Sequence, residues 1–203
     1  TSQAAFKKYW QINALNKPDL TANGFVLNAR RENLVGNTHV EMLVPKATDR
    51  KVEVLSGEQA NSVFGTLYPV PPVVTLPETR GHRIMVTPNA ANKRDQFLTV
   101  MQMTAEGVKP LPVKYYESPV SYVVTIADRV VSVNRGQELI GNKFTVKVAN
   151  SGKSQVLLTG LKPGNWNVSG GAGRVKVNAV VAEGKNTLFF EGGNGEYVIT
   201  PKL

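Results

Sequence analysis

The amino-acid sequence predicts an all-β protein: an antiparallel β-sandwich of two packed β-parts with little or no helix. Short runs rich in β-branched and aromatic residues are separated by clusters of Gly, Pro, Asn and Asp, which is typical of strands joined by turns. The chain has 203 residues, and its 18 glycines and 12 prolines lie mostly between these runs. Helix-period stretches are scarce; residues 57–64 are predicted to form a turn or two of helix.

The first predicted part is a β-sandwich part that comprises residues 1–117. A stretch at residues 68–77 contains four prolines. Because proline has no backbone N–H to donate to a strand ladder, we predict an edge or a crossing loop there. Alternating or β-branched runs predict strands at residues 9–15, 24–28, 38–44, 51–55, 83–87 and 96–104.

The second predicted part is smaller and comprises residues 118–203. The join falls near residues 108–119, where Lys109-Pro110-Leu111-Pro112 forms a stiff connector. Two glycine clusters, at residues 170–173 and 192–195, lack the spacing of a nucleotide-binding loop and precede no helix, so we predict hairpin turns. Strands are predicted at residues 120–126, 129–133, 143–149, 155–159, 166–169, 174–181, 186–191 and 195–200.

The predicted core follows from the strand pattern. Most of its members share one parity within their strands, and continuous apolar pairs suggest strands buried on both faces. The predicted core residues are Phe25, Met42, Leu43, Ile84, Val86, Phe97, Leu98, Val100, Val146, Leu157, Leu188, Phe190 and Tyr197.

The positive charge is shared between the two parts. Residues 1–117 carry 14 basic and 10 acidic side chains, and residues 118–203 carry 10 and 5. The local asymmetry lies in residues 139–182, which contain Lys143, Lys147, Lys153, Lys162, Arg174 and Lys176 and no acid. One interpretation is a solvated strand-and-loop surface; the other is a surface that favours an anionic polymer. Nucleic acid is not predicted, because no Lys/Arg run exceeds two residues and no recognised binding motif occurs.

Several classes of protein are excluded by composition. The chain contains no cysteine and two histidines, His39 and His82, which excludes disulfides, thiolate zinc sites and histidine-rich metal sites. No apolar window is long enough to span a membrane. The first residues lack the apolar stretch of a signal peptide, so we expect a mature chain or a fragment.

The sequence offers no catalytic residue. Acidic residues are dispersed singly, and no Gly-x-Ser-x-Gly elbow places a nucleophile beside a base. We therefore predict no catalytic residues, no metal site and no cofactor. A lyase that removes a proton next to a uronate carboxylate needs a base and a cation, and the local cluster with such chemistry is Arg80, His82 and Arg83. The alternative for this cluster is a solvated loop that enters a strand.

Two tryptophans are further candidates for a binding site. The flat ring of Trp10 or Trp166 suits stacking on a sugar, although large aromatic side chains lie more often in cores. Arginine suits a carboxylate or sulfate because its planar group can pair with two oxygens. The predicted substrate-binding residues are Arg80, His82, Arg83, Trp10 and Trp166.

Short segments that follow one another along the chain carry a family resemblance. Residues 7–14 (KKYWQINA) have the form of an opening strand, and residues 41–45 (EMLVP) that of a strand ending in proline. The other segments are 83–88 (RIMVTP), 95–101 (DQFLTVM), 161–168 (LKPGNWNV) and 188–197 (LFFEGGNGEY). Together they resemble the C-terminal β-sandwich region of heparinase II/III-like polysaccharide lyases.

This resemblance implies a β-sandwich that follows an N-terminal α-helical toroid in a secreted or periplasmic lyase. The implied partners are that toroid domain of the same protein and an acidic polysaccharide such as a glycosaminoglycan. Because the family's catalytic residues lie in the toroid and in earlier parts of the β-region, no catalytic residue is carried over and this chain alone is expected to be inactive.

Three functions stay open at this point. The first is the non-catalytic C-terminal β-sandwich region of such a lyase, which supports the catalytic toroid and contacts acidic polysaccharide. The second is a freestanding carbohydrate-binding module. The third is a structural or adhesive β-sandwich. The reading frame upstream of Thr1 would separate the first from the other two.

Overall fold

The computed structural model describes residues 5–63 and 65–202. The chain divides into two compact units, Thr1–Pro110 and Leu111–Leu203. The division predicted from the sequence falls between residues 117 and 118, which would put the strand Val113–Glu117 in the first part. That strand pairs with Ser121–Ile126 and therefore lies in the second unit.

The fold is all-β, as predicted. Helical structure in the described residues consists of short 3₁₀ turns at Ala47–Asp49, Gly57–Asn61 and Pro77–Arg80. The second of these falls within the predicted helical turn at residues 57–64, of which Phe64 lies outside the described residues. No helix among the described residues has the length and hydropathy that crossing a membrane requires.

The first unit consists of two layers. One is a four-stranded sheet in the order β2-β3-β4-β9, and the other is a three-stranded sheet in the order β1-β8-β5; a small pair, β6-β7, lies apart. The strands are β1 (Trp10–Ala14), β2 (Asp19–Thr21), β3 (Gly24–Arg31), β4 (Leu34–Val44), β5 (Arg50–Ser56), β6 (Ser62–Val63), β7 (Thr66–Leu67), β8 (His82–Pro88) and β9 (Leu98–Ala105).

The core of the first unit lies between these two sheets. Phe25, Val40 and Met42 from the four-stranded sheet join Ile84 and Val86 from β8, and all five are buried. Both Met42 and Leu43 are buried, although they are neighbours on β4. The register of β4 against β9 shifts between Met42 and Val44, and such an irregularity lets adjacent residues face inward.

The second unit is a sandwich of a five-stranded and a four-stranded sheet. The orders are β10-β11-β12-β14-β17 and β13-β18-β15-β16. Strands β12 and β14 run parallel, which departs from the predicted antiparallel arrangement. The strands are β10 (Val113–Glu117), β11 (Ser121–Ile126), β12 (Arg129–Asn134), β13 (Phe144–Val148), β14 (Ser154–Thr159), β15 (Gly164–Gly170), β16 (Val175–Val181), β17 (Thr187–Gly192) and β18 (Gly195–Pro201).

The core of the second unit is made by the inward-facing residues of both sheets. Val130, Val156 and Leu158 face it from the five-stranded sheet, and Val146 and Ile199 face it from the four-stranded sheet, all fully buried. Alternation is regular along these strands, as the buried–exposed pattern of β13 shows. Burial on one face is what the period of two predicts.

Some core and turn predictions are wrong. Leu157 is 36% exposed, because the inward positions of β14 are Val156 and Leu158. Phe97, Leu98 and Val100 are only partly buried at an edge of the first unit. The cluster at 170–173 closes the β15–β16 hairpin as predicted, whereas the cluster at 192–195 carries the chain from one sheet to the other.

Candidate functional site

Side chains alternate between the two faces of β8, so the members of the predicted cluster Arg80, His82 and Arg83 do not lie together. Ile84 and Val86 are buried in the core, so His82 shares their side of the strand, and Arg83 lies on the opposite side with Met85. The Nδ1 atom of His82 lies 2.7 Å from the hydroxyl oxygen of Ser56. Arg83 is therefore the member of the cluster that the outer face of the β1-β8-β5 sheet presents.

Arg80 occupies a different place from Arg83. It is exposed in the 3₁₀ turn Pro77–Arg80 that precedes β8. The following Gly81 packs against the backbone of Ala14, and a Cβ at this glycine would lie 2.4 Å from the Ala14 carbonyl oxygen. This close approach of the two backbones leaves room for a glycine only, just before β8 begins. Arg80 is not among the residues that line the groove on the outer face of the β1-β8-β5 sheet.

Both predicted tryptophans pack in cores. The ring of Trp10 lies 6.2 Å from that of Phe25, on the inner side of the first unit's sheets. Trp166 is 1% exposed in the second unit, and its indole N–H donates to the Lys162 carbonyl oxygen at 3.0 Å. The structure therefore covers the Trp166 ring and turns Trp10 away from Arg83.

A groove of about 460 Å³ lies on the outer face of the β1-β8-β5 sheet. Its floor follows the strand register, in which Gln11 pairs with Met85 and Met85 with Glu53. Its wall comes from the 3₁₀ turn Gly57–Asn61 and the strand β6. The lining residues are Tyr9, Gln11, Glu53, Leu55, Gln59, Ser62, Val63, Gly65, Arg83 and Met85.

Arg83 supplies the cationic group of this groove. One of its terminal nitrogens donates to the carbonyl oxygen of Ser62, which fixes the guanidinium against the groove wall. Its buried Nε has no hydrogen-bond partner in the described part of the chain. A guanidinium carries five N–H groups, so those on the terminal nitrogens that Ser62 does not use can donate to an anionic ligand.

The other polar groups of the groove suit a sugar. Tyr9 is 40% exposed and lies beside Gln11 on the face opposite Trp10. The carboxylate of Glu53 is 2.8 Å from the ammonium of Lys51, so its charge is compensated at the rim of the groove. An amide, a hydroxyl, an aromatic ring and a guanidinium together can recognise a small acidic sugar unit.

Most residues of this groove are not predicted from the sequence, although the strand pattern contains the signal for some of them. Once Trp10 and Ile12 are assigned to the core, the period of two places Tyr9 and Gln11 on the outer face. The contributions of Gln59 and Ser62 depend on a loop that folds back over the sheet, and no local pattern indicates this.

Two kinds of catalytic group can be looked for in this groove: a metal ion and the histidine base that the sequence suggests. The described residues contain no group of three or more His, Cys, Asp or Glu side chains that could hold a metal ion. His82, the base suggested by the sequence, points to the other side of β8 and contacts Ser56. The groove is a candidate binding site.

Comparison with protein families concerns the second unit. Residues 115–201 match the family model described as the heparinase II C-terminal domain. Over these residues the second unit is similar to the heparinase II C-terminal domain. The match runs from β10 to β18 and thus includes both sheets of the sandwich, which confirms the resemblance seen in residues 161–168 and 188–197. No curated protein matches the chain.

Proposed function

We propose that this chain is the non-catalytic C-terminal β-region of a heparinase II/III-like polysaccharide lyase and that it contacts acidic polysaccharide through the Arg83 groove. The observation that supports the lyase assignment is the heparinase II C-terminal domain at residues 115–201. The groove lies in the first unit, outside that match, and its support is the Arg83 guanidinium that lines it and is held by the Ser62 carbonyl oxygen.

The proposal includes a structural role and a location. In this view the β-region supports an N-terminal α-helical toroid that carries the catalytic residues. A substrate such as a glycosaminoglycan lies outside the cytoplasm, and we propose that the protein is secreted or periplasmic. A coding sequence that starts with a signal peptide just before Thr1, with no toroid, would contradict the supporting role and leave a freestanding binding module.

The groove is tested by replacing Arg83 with Gln and measuring heparin binding by calorimetry. We expect roughly tenfold weaker binding, because hydrogen bonds to charged groups contribute about 1.5–3 kcal/mol. Arg80→Gln is the matched control, since it removes the same charge from an exposed position outside the groove. Equal losses in the two variants, or equal binding of heparin and a neutral glucan, would contradict the proposal.

The absence of catalysis is tested separately with the purified chain. A lyase that cleaves uronate-containing chains leaves an unsaturated sugar, which absorbs in the ultraviolet. We expect no increase in absorbance with heparin, chondroitin sulfate or alginate, because His82, the base suggested by the sequence, lies on the opposite side of β8 from Arg83. Steady release of unsaturated product by the chain alone would show that it is catalytic.

A further inference from the structure

The outer face of the four-stranded sheet in the second unit is exposed and mostly polar, with Val180 as an exposed apolar side chain on β16. Along β13 the residues Phe144, Val146 and Val148 are buried while Thr145 and Lys147 are exposed, and β15, β16 and β18 alternate in the same way. The lysine–asparagine face is defined by six residues on this outer side: Lys143, Lys147, Lys176, Asn165, Asn167 and Asn178.

The strand register brings these side chains together. Asn167 on β15 pairs with Asn178 on β16 and with Thr200 on β18. Because Phe144 pairs with Ile199, the preceding Lys143 lies next to Thr200 in the same row. At a strand spacing of about 4.8 Å, a row across four strands is about 14 Å long. Asn165 and Asn167 therefore lie on the inner strand β15, whereas Asn178 shares the edge strand β16 with Lys176, and Lys147 lies on the other edge strand, β13.

The polar groups of this face are not used by the fold. Within the described residues, none of the six side chains makes a hydrogen bond or an ion pair. Other lysines do, as in the pairs Lys8–Asp95 and Lys153–Glu191. The six side chains thus keep their full capacity to bind a ligand from solution.

The charge of the face is positive. Its lysines come from the segment 139–182, which contains no acidic residue. Glu196 on β18 faces the same side and lies opposite Lys147 in the register, so the positive field is strongest toward Lys143 and Lys176. A linear polyanion complements such a field.

We propose that the lysine–asparagine face binds a linear acidic polysaccharide, with lysines on the two edges of the sheet contacting carboxylate or sulfate groups and the neighbouring amides of β15 and β16 contacting sugar hydroxyls. This site shares its ligand class with the proposed function but lies in the other unit and uses none of the groove's residues. A nucleic acid fits less well, because the described outer-face residues include no aromatic ring on which bases could stack.

The first experiment removes the lysines from the full chain. The variant Lys143→Gln plus Lys147→Gln plus Lys176→Gln is compared with Lys17→Gln plus Lys93→Gln plus Lys109→Gln, which removes the same charge from exposed sites in the first unit. We expect heparin affinity to fall roughly tenfold in the face variant and less than about twofold in the control, with a weaker salt dependence in the former. Equal losses would overturn the proposal.

The second experiment removes the amides without changing charge. Asn167→Val and Asn178→Val retain strand propensity, and thermal unfolding checks that the fold is intact. We expect heparin to bind several-fold more weakly while the affinity for a single-stranded oligodeoxynucleotide of similar charge stays unchanged. An oligonucleotide that binds as tightly as heparin, or amide variants without effect on heparin, would show that the face is a general polyanion surface and overturn the proposal.

The Arg83→Gln variant separates this inference from the proposed function. If the groove proposal fails, Arg83→Gln has no effect and the lysine variant still loses affinity. If the present inference fails, the lysine variant behaves like its control and only Arg83→Gln loses affinity. Additive losses when both sets are combined would indicate two independent sites.

Discussion

At the scale of single residues, Tyr197 depends on glycines around its ring. Its hydroxyl donates to the Gly193 carbonyl oxygen at 2.8 Å, and the whole side chain is buried. A Cβ at Gly192 would lie 2.2 Å from the Tyr197 hydroxyl oxygen, and one at Gly171 would lie 2.1 Å from it. The two glycine clusters of the sequence therefore serve packing around one phenol ring.

Gly192→Ala is expected to destabilise the second unit by about 1–3 kcal/mol, because the added methyl group overpacks a buried ring. Gly193→Ala is the matched control, since a Cβ at this position meets nothing within 4 Å. The measurement is urea unfolding followed by Trp166 fluorescence in a Trp10→Phe background, so that the second unit is reported. Similar midpoints for the two alanine variants would contradict this account of the ring's packing.

At the scale of elements, the alternation of β14 decides which of two adjacent leucines stabilises the fold. Leu158 is fully buried between the sheets, and Leu157 is 36% exposed on the outer face. We expect Leu158→Ala to cost about 2–5 kcal/mol and Leu157→Ala less than about 1 kcal/mol. The same fluorescence-detected unfolding checks both values, and a larger cost at Leu157 would show that the inward parity of β14 is reversed.

The strands that sequence reasoning predicts are those with a long alternating pattern. The pattern locates β3, β8 and β16 to within a few residues, because burial on one face forces a period of two. It misses β2, β6 and β7, which have two or three residues and no room for a period. It also misses β10, because this strand lies in the proline-containing stretch that is predicted to join the two parts. It chooses the wrong parity at Leu157 because both neighbouring positions on β14 are also apolar and the pattern alone cannot orient the strand.

At the scale of the whole molecule, buried tyrosines couple stability to alkaline pH. Burial raises the pKa of Tyr116 and of Tyr197. Above the ordinary tyrosine pKa of about 10, the unfolded chain releases phenolic protons that the folded chain retains. The unfolded state then binds fewer protons, so the free energy of unfolding falls as pH rises, and the contribution is complete below about pH 10.

This dependence is measured by urea unfolding at a series of pH values from about 8 to about 11. We expect the free energy of unfolding to be level at the lower end and to decline beyond about pH 10. Tyr197→Phe should make the decline shallower, because the variant has one fewer buried phenol. An unchanged slope in that variant would show that Tyr197 does not contribute to the coupling.

The site is less predictable than the fold. Arg83 is indicated as a candidate by its residue type. Its separation from His82 follows from the alternation of side chains along β8. The wall of the groove is formed by the turn at residues 57–61, which the sequence does not place there. The basic segment at residues 139–182 is visible in the sequence, but the sequence does not show which of its basic side chains share a sheet face. Three of its lysines share one sheet face, and Lys153 instead pairs with Glu191.

The interleaving of the two sheets in the second unit has a consequence for how this unit can be cut or assembled. Strands β12 and β14 are neighbours in one sheet, yet β13, which lies between them in the chain, belongs to the other. Neither layer is a continuous stretch of chain, so no single truncation yields one complete layer. Each layer supplies the apolar surface that the other needs, so we expect the second unit to fold and unfold as one piece.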